Sequence, residues 1–234
     1  MGKRVAILQS NYIPWKGYFD IIKQVDEFIL YDDVQYTKRD WRNRNRIKTA
    51  QGPLWLSVPV HASGRSSLIH EATIEDGQWA QKHLQSFLHH YKKAPAFEAV
   101  YPALQELYAK AADLRRLIDV NRLFLDWICG YLGIPTVLSS SLDYQGHGTK
   151  TERLLSLCLQ AGATLYLSGP AAKDYLDESQ FAAHGIAVAW MSYAGYPEYP
   201  QLYPPFDHAV TALDLILNTG EAAATYLERH PAGA

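Results

Sequence analysis

Cysteine is nearly absent from this 234-residue sequence: the two present, Cys129 and Cys158, make no disulfide framework of the kind small secreted domains need. Long apolar runs are missing as well. None reaches the roughly 18–20 residues of a membrane-spanning helix, and Val5–Leu8 after Lys3-Arg4 is too short for a signal peptide. The expectation is a cytoplasmic protein with no membrane insertion. Net charge is small, with 22 Lys and Arg against 24 Asp and Glu for a formal −2. General nucleic-acid binding needs excess positive charge and is not expected, so any anion site has to be local. The sequence has no Gly-rich phosphate loop of the dinucleotide-binding or P-loop type, which argues against a nicotinamide enzyme or a P-loop ATPase. No His, Cys and Asp spacing matches a structural zinc site, and no bound metal is expected. What the chain does have is 48% hydrophobic residues. At this length that suffices to bury roughly 70–75% of the unfolded surface without staples.

The first fifty residues carry most of the information. Residues 4–9 read as a short buried strand, turn-forming Ser10-Asn11 follow, and Pro14 suits a loop before a helix in which Tyr18, Ile21, Ile22 and Val25 share a face. Glu27–Tyr31 is a second apolar run ending in Asp32-Asp33. Strand, helix and strand at this length predict a βαβ crossover, whose ligands bind beyond the carboxyl ends of the strands. Gln9, Tyr12, Asp32, Asp33 and Gln35 are thereby expected on one rim. From Lys38 to Lys48 the chain has six positive charges against one negative, interleaved with Trp41, Asn43 and Asn45. This basic loop, with Arg39, Arg44 and Asn45 as candidate contacts, suits a phosphate or diphosphate with an aromatic cover for a sugar or base. A solvated charged loop is the competing reading.

Further along, Trp79, His83, Phe87 and Tyr91 repeat at helical spacing, and leucine stripes continue to Leu125, with Pro95 and Pro102 expected to break the helices. Gly130 and Gly133 then end them before a strand at 135–139. A helix over 152–160, a strand over 163–168, a helix over 171–183 and a strand over 187–191 restore the alternation. The fold class is therefore α/β, a Rossmann-like layered sheet taking strands from both halves, with a helical insertion. The segments are residues 1–75, 76–133 (the insertion), 134–220 and a peripheral 221–234.

Several side chains invite chemical roles. Asp32 and Asp33 at a strand end can orient a base, bind a divalent metal or act as general base on an amine, or simply cap a turn. His83 is either a base or a packed core histidine. Cys158 can carry an acyl group as a thiolate, yet it sits on an apolar stripe with Leu154, Leu155, Leu157 and Ala161, which favours burial. Ser168-Gly169 before a helix start, with Lys173 in its first turn, is a candidate anion site. Lys150 in the His147–Lys150 loop, Tyr175, Gln201 and the tyrosines 193–203 complete the candidate binding residues.

The segments Gln9–Asp20, Asp32–Tyr36, Trp41–Lys48 and Trp55–Val60, followed by Lys150–Leu154, Tyr166–Gly169, Asp174–Leu176 and Tyr199–Gln201, resemble the WbqC-like protein family. The resemblance covers nearly the whole chain, to about Gly220. It implies a place among genes for O-antigen and other surface polysaccharides, often beside makers of amino sugars. It also implies an enzyme passing an acyl or aminoacyl group, such as glycyl, from a thioester donor to an amino sugar. The donor would be coenzyme A or a phosphopantetheine carrier protein, with no tightly bound cofactor. Two other readings stand beside it. One is a nucleotidyl transferase or adenylate-forming enzyme, although residues 11–18 lack the histidine pair such enzymes bring to phosphates. The other is a noncatalytic module that binds a sugar nucleotide or carrier protein.

Overall fold

The computed structural model describes residues 2–61 and 67–228. Its centre is β1 (Lys3–Leu8), which runs through α1 (Lys16–Lys23) into the adjacent parallel strand β2 (Glu27–Leu30). The chain next forms an antiparallel hairpin, β3 (Arg44–Thr49) with β4 (Gly52–Ser57), and a two-residue pair, β5 (Val60–His61) with β6 (Thr73–Ile74). Three helices follow: α2 (Gln78–Tyr91), α3 (Phe97–Ala112) and α4 (Leu117–Tyr131). β7 (Val137–Ser140) then joins the outer side of β2, and α5 (Lys150–Gln160) carries the chain to β8 (Ala163–Ser168) on the other side of β1. After α6 (Glu178–Ala183), β9 (Ala187–Trp190) closes a five-stranded parallel sheet in the order β7-β2-β1-β8-β9, and α7 (Ala212–Thr219) leads into a 3-10 helix over Gly220–Leu227. The chain is an α/β protein with a Rossmann-like layered sheet.

The period of two along β1 and β2 divides the core. Ala6, Phe28 and Leu30 face a cluster shared with α1, α2, α3, α4 and α7, whereas Val5, Ile7 and Ile29 face Leu154, Cys158 and Phe181 from α5 and α6. Both faces are covered, which is why β1 reads as a continuous apolar run. The three middle helices pack into the same cluster as the sheet. Ala223 and Leu227, expected in a peripheral tail, are buried in it too.

Local differences from the expected pattern have physical causes. Pro102 does not break its helix: α3 runs through it, held by Val100, Leu104 and Leu107, all buried. That packing offsets the roughly 3 kcal/mol an interior proline costs. Part of the expected basic loop is strand β3, in which Asn45 and Ile47 are buried while Arg44 and Arg46 lie over the Trp55 ring. The helix expected over 171–183 is divided. Pro170–Asp174 forms a 3-10 turn, and α6 begins only after Asp177, whose side chain accepts the Ser179 N–H at 3.0 Å. Ser168-Gly169 therefore precedes a short turn instead of the α-helical N-terminus on which the anion site was drawn. Gly133 ends α4 as expected, at φ +65° with the Ile134 N–H on the Cys129 carbonyl at 2.9 Å.

Candidate active site at the sheet switch point

Strand order reverses at β1: the chain builds outward to β2 and β7, then returns to β8 on the opposite side. The crevice beyond the carboxyl ends of β1 and β8 is where ligands bind in sheets of this kind. The loop leaving β1 is fixed there by a set of polar contacts. Ser10, fully buried, donates its N–H to Asp32 Oδ1 at 2.9 Å. Asn121 of α4 donates its side-chain amide to Ser10 Oγ and to the Arg42 carbonyl, each at 3.0 Å. Tyr18 of α1 donates its hydroxyl to the Gln9 carbonyl at 2.9 Å.

Asp32 is only 3% exposed. Burial pushes its carboxyl up to about 6, against the opposing pull of the Ser10 hydrogen bonds and the Arg42 charge. Arg42 is itself mostly buried. Its Nη1 donates to Asn11 Oδ1, its Nη2 lies 3.5 Å from Asp40, and its Nε has no hydrogen-bond partner among the described residues. A carboxylate that titrates near neutrality and a guanidinium with spare donor capacity thus share one desolvated corner, a combination that active sites favour.

Asp33 leads elsewhere. It pairs with Arg153 of α5 and accepts the Ser141 hydroxyl at 2.7 Å, beside Tyr31. The Asp32 and Asp33 carboxylates therefore bond different groups, although the Asp32 N–H donates to the same Ser141 oxygen at 3.2 Å. Among the described residues no cluster of three or more His, Cys, Asp and Glu could hold a metal ion.

Next to Asn11 the loop, the β3 hairpin and the segment before α7 enclose a cavity of about 250 Å³, lined mainly by Trp15, Trp41, Asn45 and His208. The walls are tied together by backbone bonds from Thr211 N–H to the Arg46 carbonyl at 2.9 Å and from Ala212 N–H to the Pro14 carbonyl at 2.8 Å.

The model of the WbqC-like protein family matches residues 9–226, which includes every residue of this site. The chain belongs to the WbqC-like protein family. An uncharacterized protein of Mycobacterium tuberculosis is 50% identical over 226 residues, covering 96% of this chain and 97% of that relative. No solved structure matches the chain.

In this WbqC-like protein the remaining candidate residues divide by place. Gln9, Asp32 and Asp33 lie at the rim. Ser168 is at the end of β8, its carbonyl engaged by the Met191 N–H at 2.8 Å, and Gly169 follows it, close to the Tyr193 hydroxyl. Lys173 and Tyr175 are exposed beyond β8 and Lys150 is exposed at the start of α5, with Lys173 over the Trp190 ring at 5.5 Å. Arg39 is exposed, and its carbonyl receives the Arg44 guanidinium. Gln35 is exposed and bridges to Leu68. Four others are built into the fold. Asn45 donates to the Tyr12 and Ile13 carbonyls at 3.2 and 3.0 Å. Tyr12 is fully buried, its hydroxyl shared between His83 Nδ1 at 2.9 Å and Tyr108 at 2.8 Å. His83 is pushed down to about 4 by burial and stays neutral in this aromatic box, apart from Asp32. Gln201 donates to Asp214 at 2.9 Å. Asn11 lies in the segment Gln9–Tyr12 that the sequence places on the rim, whereas Arg42, Trp15 and His208 are not among the candidate residues read from sequence. The alternation of Arg with Asn and Trp in 41–46 is the signal that points toward Arg42.

Cys158 lies in the apolar layer between α5 and the sheet, and burial pushes its thiol up to about 12. Cys129 is pushed to a similar value. Thiolate character governs cysteine reactivity. Both thiols should therefore resist iodoacetamide in the native protein at pH 8 and be alkylated fully in denaturant, as read by intact-mass spectrometry. Alkylation of native Cys158 within minutes would show that it is reached by solvent.

Proposed function

We propose that this protein transfers an acyl or aminoacyl group from a thioester donor to the amine of a sugar, in the biosynthesis of a surface polysaccharide or a related natural product. The observation that carries the reading is the buried Asp32 carboxyl at the switch point of the sheet, within the field of the mostly buried Arg42. At neutral pH an Asp32 carboxyl with a pKa near 6 is mostly ionised and still basic enough to accept a proton. In the proposed step the sugar nitrogen attacks the thioester carbonyl carbon and forms the C–N bond. The nitrogen loses its proton to Asp32, the carbonyl oxygen carries the negative charge, and collapse breaks the C–S bond to release the donor thiolate, which takes up a proton. Arg42 supplies a fixed positive charge for the developing oxyanion or for a substrate phosphate. The burial of Cys158 supports direct transfer without a cysteine-bound intermediate.

Nucleotidyl transfer is the second reading, and the strand order favours it, since the crevice at such a switch point is a common nucleotide site. Calorimetry with a nucleotide-linked amino sugar, the same sugar without its amine, ATP with Mg²⁺, and coenzyme A separates the two. The proposal expects binding of the sugar nucleotide that weakens at least tenfold when the amine is removed. ATP–Mg²⁺ binding with no response to the sugar would replace acyl transfer by nucleotidyl transfer.

A further inference from the structure

We propose that the cavity beside Asn11 is a nucleobase subsite, so that the sugar reaches Asp32 carried on a nucleoside diphosphate. This deepens the acyl-transfer reading and rests on it for the identity of the sugar end only.

The cavity is small and preformed. Its volume of about 250 Å³ suits one ring system. Each aromatic wall is braced from behind. Trp15 packs edge-on against Tyr193 and Tyr196 with ring centroids at 5.3 and 5.9 Å, Trp41 lies 5.4 Å from Trp55, and His208 lies 4.5 Å from Phe206. Bracing of this kind removes the ordering cost that otherwise weakens binding.

The polar groups in the wall select among ring systems. Asn45 spends its amide N–H groups on the Tyr12 and Ile13 carbonyls and its oxygen on the Arg46 N–H, and Asn11 Oδ1 is taken by Arg42. His208 Nδ1 is buried with no hydrogen-bond partner among the described residues. A pyranose would bring several hydroxyls into a wall of indoles with few free partners, and unmatched buried hydroxyls are costly. A nucleobase has two apolar faces for stacking and a short polar edge that a single ring nitrogen can meet. Burial and the nearby Lys16 charge keep His208 neutral at neutral pH, so its ring offers a donor or an acceptor to that edge.

Two cations stand beside the cavity. The Arg46 guanidinium lies 5.9 Å from the Trp41 ring, and Arg42 reaches from Asn11 to the neighbourhood of Asp32. A diphosphate leaving the cavity on the Asn11 side meets Arg42, the cation that also acts on Asp32, while Arg46 stands at the Trp41 wall.

The test is calorimetry on the full chain at fixed ionic strength, with UDP, dTDP, CDP, ADP, GDP and inorganic pyrophosphate as probes. At least one nucleoside diphosphate should bind ten times more tightly than pyrophosphate. Trp41→Ala should weaken that nucleotide by about tenfold to a hundredfold, the usual effect of losing a stacking partner, while pyrophosphate changes less than about threefold. Trp41 is 40% exposed, so its removal leaves the core intact, and thermal melting verifies this. His208→Ala provides an independent variant and should alter the ranking of the five bases. The subsite is overturned if no nucleoside diphosphate outbinds pyrophosphate, or if Trp41→Ala keeps the base preference. The two proposals fail separately: a base preference lost with Trp41→Ala, in a protein that never acylates an amine, would leave the subsite standing and remove the transferase.

Discussion

Replacing Asp32 by asparagine should lower the rate of transfer by about 10²–10⁴-fold, the usual contribution of a general base, and should at the same time make the protein more stable at neutral pH. The two effects share a cause. Burial raises the folded-state pKa of Asp32 to about 6, above the roughly 3.9 of an unfolded aspartate. For a carboxyl raised in this way the fold prefers the protonated form. Its stability is fully present below about pH 4, declines as pH rises through 6, and is level above that. The loss across this window is about 3 kcal/mol for a shift of two pKa units. Asparagine is neutral at every pH and avoids that loss, less whatever its amide gives up beside Arg42, so a net gain of about 1–3 kcal/mol is expected at pH 7. Urea denaturation at pH 4 and pH 7 checks it: the variant's advantage should vanish at the lower pH. In the wild type kcat/KM should rise with pH through about 6 and then level off. A stabilised Asn variant with undiminished transfer would remove Asp32 from the chemistry.

Asp214→Ala should have the largest effect on stability. This carboxylate is fully buried at the start of α7 and accepts the Tyr91 hydroxyl at 2.6 Å, the Tyr199 hydroxyl at 2.7 Å and the Gln201 amide at 2.9 Å. Burial raises its pKa while these donors and the Lys48 charge pull it down. Alanine leaves the buried Tyr91 and Tyr199 hydroxyls without their acceptor, while the Gln201 amide keeps the Asp207 carbonyl at 3.0 Å, at a cost of about 3–5 kcal/mol. For a chain of this length the melting temperature should fall by roughly 6–20 °C. Asp214→Asn keeps an acceptor oxygen and should cost less. A melting temperature unchanged in Asp214→Ala would mean that the tyrosines find water instead.

The parts of the fold that are legible in the sequence are those where one local pattern has one solution. Val5–Leu8 and Phe28–Leu30 are apolar runs too short for helices, and 163–168 is found as a strand with the expected limits. Asp32 and Gln9 were placed at the rim because polar residues directly after a buried strand have nowhere else to go. What was not legible depends on partners distant in sequence. Tyr12 and Asn45 look like surface groups until each is seen to bond buried carbonyls or hydroxyls across the loop. Arg42 differs from its arginine neighbours through distant partners: Asn121, 79 residues later, fastens its carbonyl, and Asn11 holds its guanidinium. The break at 175–177 was missed because the apolar spacing of 171–183 continues across it, while the Asp177 cap decides where α6 begins.

The position of β1 bears on how the protein is made. Its edge toward β8 pairs Lys3 with Ala163 and Ala6 with Leu167, partners about 160 residues apart. At roughly 5–20 residues per second on the ribosome, that edge waits about 8–30 s for its neighbour. Throughout that interval the nascent chain presents an unpaired apolar strand, an aggregation hazard that later synthesis alone relieves. The strand that later carries the rim loop is thus also the one most in need of a chaperone's cover, and late-strand mutations that delay β8 should appear first as lost soluble yield.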